Sequence, residues 1–313
     1  MSLIIPPSSD GGLTVDVTIA AQDADLDVNV TNTSINVNST IVGQSVDVEV
    51  NSTIVGQSVD VDVNVTNMPV PVVEIPRGHV VGSTQISAFG ESVISGAVTK
   101  QVLWSNGAYV LPPATGQQMS IVSTSTQDDN STGTGLWSIK IFYLDDALVP
   151  QTETVILDGT TVVTTVATDI RFIYKVVAVT YGTNKKAVGN ISVYNGANTY
   201  AYISIGNLVD KSSVYMVPAG KRLMITGLAA GASSGSADAS VIVYVAVSSY
   251  AGEDYSDDSL FIPLAGIAVQ DSSSSLSLPV PIAIEAGTVF CMLVTSDKAA
   301  TIVGSWFGWL ENV

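Results

Sequence analysis

The chain is short of charge, of bulky side chains near its start, and of the residues on which most enzyme chemistry depends. Only 12% of its 313 residues are Asp, Glu, Lys or Arg, about half the usual share. Positive charge is the scarcest, with 11 Lys and Arg against 28 Asp and Glu and a formal charge of −17. A basic footprint for phosphate is missing, which argues against nucleic acid as a partner and against an anionic membrane surface. One cysteine, Cys291, leaves no intrachain disulfide to form, and with His79 as the one histidine, zinc-type sites are excluded by count. Long apolar runs are absent too: the most apolar stretch, ASVIVYVAV at 239–247, matches one buried strand rather than a membrane helix of about eighteen residues. Membrane insertion is therefore not expected. The opening MSLIIPPSSDGG has neither a cationic start nor an adequate apolar segment, so no secretory signal is expected.

The shortage is most complete from Met1 to Pro76, where Lys, Arg, His, Phe, Tyr and Trp do not occur at all. What is there is a repeat: NSTIVGQSVDVEV at 38–50 returns at 51–63 as NSTIVGQSVDVDV, changed only from Glu49 to Asp62. Around it apolar and polar residues alternate. Val15, Val17, Val28, Val30, Val46, Val48, Val50, Val59, Val61, Val63 and Val65 fall on one face of successive strands, with Asp and Asn filling much of the other. Such a segment has strand chemistry but lacks the bulk to close a core. Its valines need a partner surface, and the simplest is another copy of the chain. Residues 1–67 are thus expected to anchor and oligomerise, as a repetitive β stalk or an extended arm on neighbouring subunits. A homotrimer is the first expectation and a pentamer the second, with disorder as the competing reading. MPVPVVEIP at 68–76 reads as a stiff polyproline-like strut, making 68–77 a linker.

From 78 onward aromatics begin and short strand-like runs follow one another between Gly, Asn, Asp and Pro, with no sustained helical period. LDGT at 157–160 reads as a tight hairpin turn. The pattern predicts an all-β chain: an N-terminal stalk or arm, then one or two jelly-roll-like β-sandwiches. The expected division is 78–210 for the first sandwich and 211–313 for a second, or for completion of the first.

Candidate chemistry is thin. GASSG at 231–235 matches G-x-S-x-G, but the nucleophile elbow needs a strand before the serine and a helix after it, and small residues surround this one. No enzyme activity is expected. Acidic pairs at Asp128-Asp129, Asp145-Asp146, Glu253-Asp254 and Asp257-Asp258 lack the spacing of a known calcium loop. They read as solvated turns, and a structural calcium ion is the one cofactor weighed. Trp306 and Trp309 are weighed both as a surface for recognising a host glycan or receptor and as core.

Three groups of residues carry a resemblance. TGTGLWSIKIFYLDDALVPQTETVILDGTTVVTTVATDIRFIYKV at 132–176 resembles a segment of bacteriophage and archaeal-virus virion proteins. VPAGKRLMITGL, AIEAGTVFCMLVTS and the closing TIVGSWFGWLE resemble a jelly-roll signature of viral decoration, spike and turret proteins, and the VDVNVTN-type repeats resemble head-fibre stems. The resemblance implies a capsid-associated spike, turret, head-fibre or decoration subunit on the virion exterior. It implies self-association, other capsid proteins as partners, and a function of stabilising the shell or contacting the host. It supplies no functional residues. A cell-surface adhesin or surface-layer protein is the alternative.

Overall fold

The computed structural model describes residues 13–17, 35–39, 80–107, 109–234, 240–248, 261–269 and 272–313. The chain divides into two compact units, Met1–Thr66 and Asn67–Val313. In the first, β1 (Leu13–Val17) pairs in parallel with β2 (Ile35–Ser39), setting Val15 opposite Val37 and Val17 opposite Ser39. Val28, Val30, Val46, Val48, Val50, Val59, Val61, Val63 and Val65 lie outside the described residues, as do the 68–77 linker, His79 and the acidic pairs at 253–258.

The second unit is built on eight strands: β3 (Ser83–Ile94), β4 (Val98–Val102), β13 (Lys221–Ser234), β14 (Val241–Ser248), β15 (Phe261–Val269), β16 (Ser273–Ile284), β17 (Val289–Ser296) and β18 (Ala300–Asn312). One antiparallel sheet runs β16-β13-β18-β3, and in the other β17 joins β4 on one side to β14 and then β15 on the other. In chain order the first strand of the eight pairs with the last and the second with the seventh, which is the double Greek key of a jelly roll. The expected 210/211 division falls differently from this pairing. β3 and β4 precede it, yet they hydrogen-bond to β18 and β17.

Between β4 and β13 lies an inserted body with its own core. It holds β5 (Ser120–Ser123), β6 (Leu136–Leu144), β7 (Pro150–Ile156), β8 (Val163–Thr164), β9 (Phe172–Tyr181), β10 (Ile191–Asn195) and β11 (Asn198–Ile203). They form sheets β11-β10-β5-β8 and β7-β6-β9, with Ile121, Ile139, Ile141, Ile170, Ile191 and Ile203 fully or almost fully buried between them. The turn at 157–160 is present, with Thr161 N–H donating to the Asp158 carbonyl at 2.9 Å and Gly159 at φ +58°. It is not a hairpin, because β7 pairs with β6 while β8 pairs with β5. Here the turn carries the chain from one sheet to the other.

The run VFCMLV in β17 lacks alternation because both of its faces are dry. Phe290, Met292 and Val294 point into the space between the jelly-roll sheets. Val289, Cys291 and Leu293 point the other way, against Trp104, Leu111, Leu144 and Phe172 at the foot of the insert. Burying both faces keeps apolar area from water at roughly 25 cal/mol per Å², so this strand fastens the two bodies together. A short strand, β12 (Tyr215–Met216), returns the chain from the insert and pairs with β17.

β18 is different: its residues alternate, with Ile302 and Trp306 inward and Thr301 and Phe307 exposed. Trp306 is therefore not a recognition surface, which corrects that reading. It is 0% exposed, its ring meets Phe290 edge-on at 5.1 Å, and its Nε1–H donates to the Ser213 carbonyl at 2.8 Å. A large indole with its one donor satisfied is stable in a core. Next to it, a side chain at Gly304 would come within 2.8 Å of both Leu103 and Met292, so that glycine makes room for the layer.

Candidate functional site: the uncovered sheet face

The insert covers the outer face of the sheet containing β17. The outer face of β16-β13-β18-β3 has no such cover among the described residues. Register places Phe89, Ser305, Ala229 and Ser275 in one row across the four strands, and Glu91, Val303, Gly231 and Ser273 in the next. These rows, Glu91 apart, line a shallow trough of about 360 Å³. The sequence sets its shape: small residues on the central strand β13 let the sheet surface sink, and Phe89, 47% exposed, forms one wall. Phe307 and Val93 extend the apolar surface along β18 and β3.

Charge on this face is neutralised. The Glu91 carboxylate is paired with the Lys211 ammonium. At one end Arg222 reaches Glu285 at 2.9 Å and Glu311 at 3.7 Å. Trp309 lies half-buried on this side, its Nε1–H directed to Glu311 Oε2 at 3.4 Å. Trp306 and Trp309 thus occupy opposite faces of one strand. The trough offers hydroxyls and flat apolar area, and the described residues that line it include no titratable side chain. Ser233 lies inside β13 opposite Thr301, and so lacks the strand-to-helix corner that exposes a nucleophile.

Asp128, Asp129 and Asp145, from the acidic pairs among the described residues, each hold local backbone in place. Asp128 is fully buried and accepts four hydrogen bonds. Leu136 N–H and Val188 N–H reach Oδ1 at 2.9 and 3.0 Å, while Ser123 Oγ–H and Gly189 N–H reach Oδ2 at 2.7 and 2.8 Å. Four donors fill the acceptor positions of a carboxylate, so a calcium ion would have to break one of these bonds. Its neighbour Asp129 accepts from the N–H and Oγ–H of Ser131, and these bonds hold its carboxyl below the usual range. Asp145 accepts from Ala147 and Val149 N–H at 3.0 and 2.9 Å, closing the 145–149 turn. Among the described residues no group of three or more His, Cys, Asp or Glu is placed to hold a metal.

The residue missed by sequence reasoning is Asp210, at the second chain crossing between insert and jelly roll. Trp104, at the first crossing, donates its Nε1–H to Asp210 Oδ1 at 2.9 Å. Loss of solvent pushes this carboxyl up to about 7, against the hydrogen bonds from Trp104 and from backbone N–H groups. Nearby, burial raises the Tyr109 phenol and the Cys291 thiol well above their ordinary ranges. Cys291 is an inert core thiol here. Only the Trp104 indole hinted at this site in the sequence, since a buried indole seeks an acceptor.

No protein-family model matches the sequence, and no curated protein matches it. Among solved structures, the chain is similar to the VP2 subviral particle of infectious bursal disease virus, at 10% identity and TM-score 0.20, covering 74% of this chain and 72% of that one. T=1 particles derived from the same virus give 9% identity and TM-score 0.17, over 74% of each chain. A lipoprotein of Bacteroides thetaiotaomicron gives 11% identity and TM-score 0.13, over 74% of this chain and 97% of that one. These scores describe a faint likeness, and the jelly-roll topology rests on the strand pairing of this chain.

Proposed function

We propose that the chain is a non-enzymatic structural protein of a virion, a capsid-associated spike, turret, head-fibre or decoration subunit that stabilises the shell or contacts the host. One observation carries the reading. An eight-stranded jelly roll has one sheet sealed by an inserted body and the other left as an open face whose charged groups pair with one another. Exposed apolar area of this kind marks a contact surface, and the trough with Phe89 and Phe307 supplies it. The cation-free Met1–Pro76 segment, with its duplicated alternating repeat, adds strand chemistry suited to anchoring through backbone pairing. No cofactor is part of this role, and the partners are further copies of the chain and other capsid proteins.

Immunogold labelling with antibody to the full chain tests it. Gold on the exterior of purified particles supports the reading. Gold confined to the envelope of uninfected cells replaces it with a surface-layer or adhesin role.

A further inference from the structure

We propose that the outward face of the β7-β6-β9 sheet is a contact surface for a second copy of this chain, with Lys140 and Lys175 receiving carboxylates of the neighbour. This rests on the self-assembling role proposed above. In β6, period two sends Ile139, Ile141 and Tyr143 into the insert core and leaves Lys140 and Phe142 on the other face. Register then lays Thr154, Lys140 and Val177 in one row and Thr152, Phe142 and Lys175 in the next. Both ammonium groups sit over the same ring, with Lys140 Nζ 5.1 Å and Lys175 Nζ 5.8 Å from the Phe142 centroid.

Two ammonium groups thus share one ring, with no ion-pair partner for either among the described residues. Neither lysine has a carboxylate within 4.0 Å among the described residues, whereas Lys211 and Arg222 are each paired with glutamates. The one carboxylate of β7, Glu153, lies on the opposite side and accepts from the N–H groups of Val166 and Ala167. A ring recovers only part of what an ammonium gains from a carboxylate.

The occupant follows from charge. Copies that each carry −17 repel at most approaches, and that repulsion is offset where ammonium groups stand without carboxylates. Exposed Ile156 at 59% and Val179 at 47% add apolar area beside them. The two ammonium groups near the Phe142 ring compete with a sugar for that aromatic surface. An acidic protein surface of mixed apolar character fits this face better.

The test is sedimentation of the full chain at low and high salt, with the double variant Lys140→Glu/Lys175→Glu and the neutral Lys140→Gln/Lys175→Gln as a folding-safe control. Two exposed ion pairs predict association weakened about tenfold in the neutral variant. The Glu variant should lose more, and the salt dependence should flatten in both. A monomeric wild type, or variants that associate with unchanged affinity and salt slope, would overturn the proposal. So would variants that keep wild-type association but lose binding to a sialylated glycan, which would assign the face to carbohydrate. Particle labelling decides the virion role separately: association lost in the variants with no particle labelling would sink that role and leave this contact standing.

Discussion

Two strands that lie back to back across the jelly roll, β17 and β18, bury their residues in opposite styles. β17 is apolar at six consecutive positions, Val289 to Val294, and every one is buried. β18 alternates buried and exposed residues from Ala300 to Gly308. The difference is what covers them. The insert presses Trp104, Leu144 and Phe172 against one side of β17, so neither face meets water. Nothing among the described residues covers the outer side of β18. A continuous apolar strand is therefore the trace of a second body docked on the sheet, and an alternating strand is the trace of a free face.

The largest expected effect breaks the shared inner layer. Trp306→Ala should cost about 4 kcal/mol, read as a lowered denaturant midpoint, since it removes an indole packed against Phe290 and Tyr215 and orphans the Ser213 carbonyl. A loss below about 1 kcal/mol would show that the inward orientation is wrong. Asp128→Ala comes next, at about 3 kcal/mol. It strands three backbone N–H groups and the Ser123 hydroxyl, so hydrogen exchange should rise in the insert while the jelly roll stays protected. Equal loosening of both bodies would mean that they do not act as separate units.

Third is the pH dependence of the junction. The folded state holds the Asp210 proton more tightly than the unfolded chain, raising this carboxyl from 3.8 to about 7. Its contribution to stability is full below the unfolded value and is lost as pH rises through about 7. Asp210→Asn should flatten that part of the stability profile while keeping an acceptor for Trp104. An unchanged profile in the variant would place the titration elsewhere. The smallest effect belongs to the free face. Phe307→Ser should change stability by about 1 kcal/mol or less, while reducing association of the full chain in light scattering if the trough is a contact surface.

Particular residues show how far pattern alone reaches. Period two already places Trp306 and Trp309 on opposite faces, because they are three positions apart. Treating the two together, as either surface or core, missed a signal that was present. Asp128 and Asp129 are adjacent and chemically identical, yet one is a buried hub and the other caps a turn. Their fates separate only because Leu136, Val188 and Gly189 bring their N–H groups to Asp128 from 8, 60 and 61 positions away. Likewise β3 and β4 look like the start of the first sandwich but are the edge strands of the jelly roll.

Strand identity and the all-β class follow from composition and alternation, since those are properties of neighbouring side chains on an extended backbone. Which sheet a strand joins, which face the insert seals, and where a carboxyl loses its water depend on contacts between residues far apart in the chain. Local periodicity is the same whether a strand pairs with its neighbour or with one two hundred residues away, so that choice is settled only when the layers close on each other.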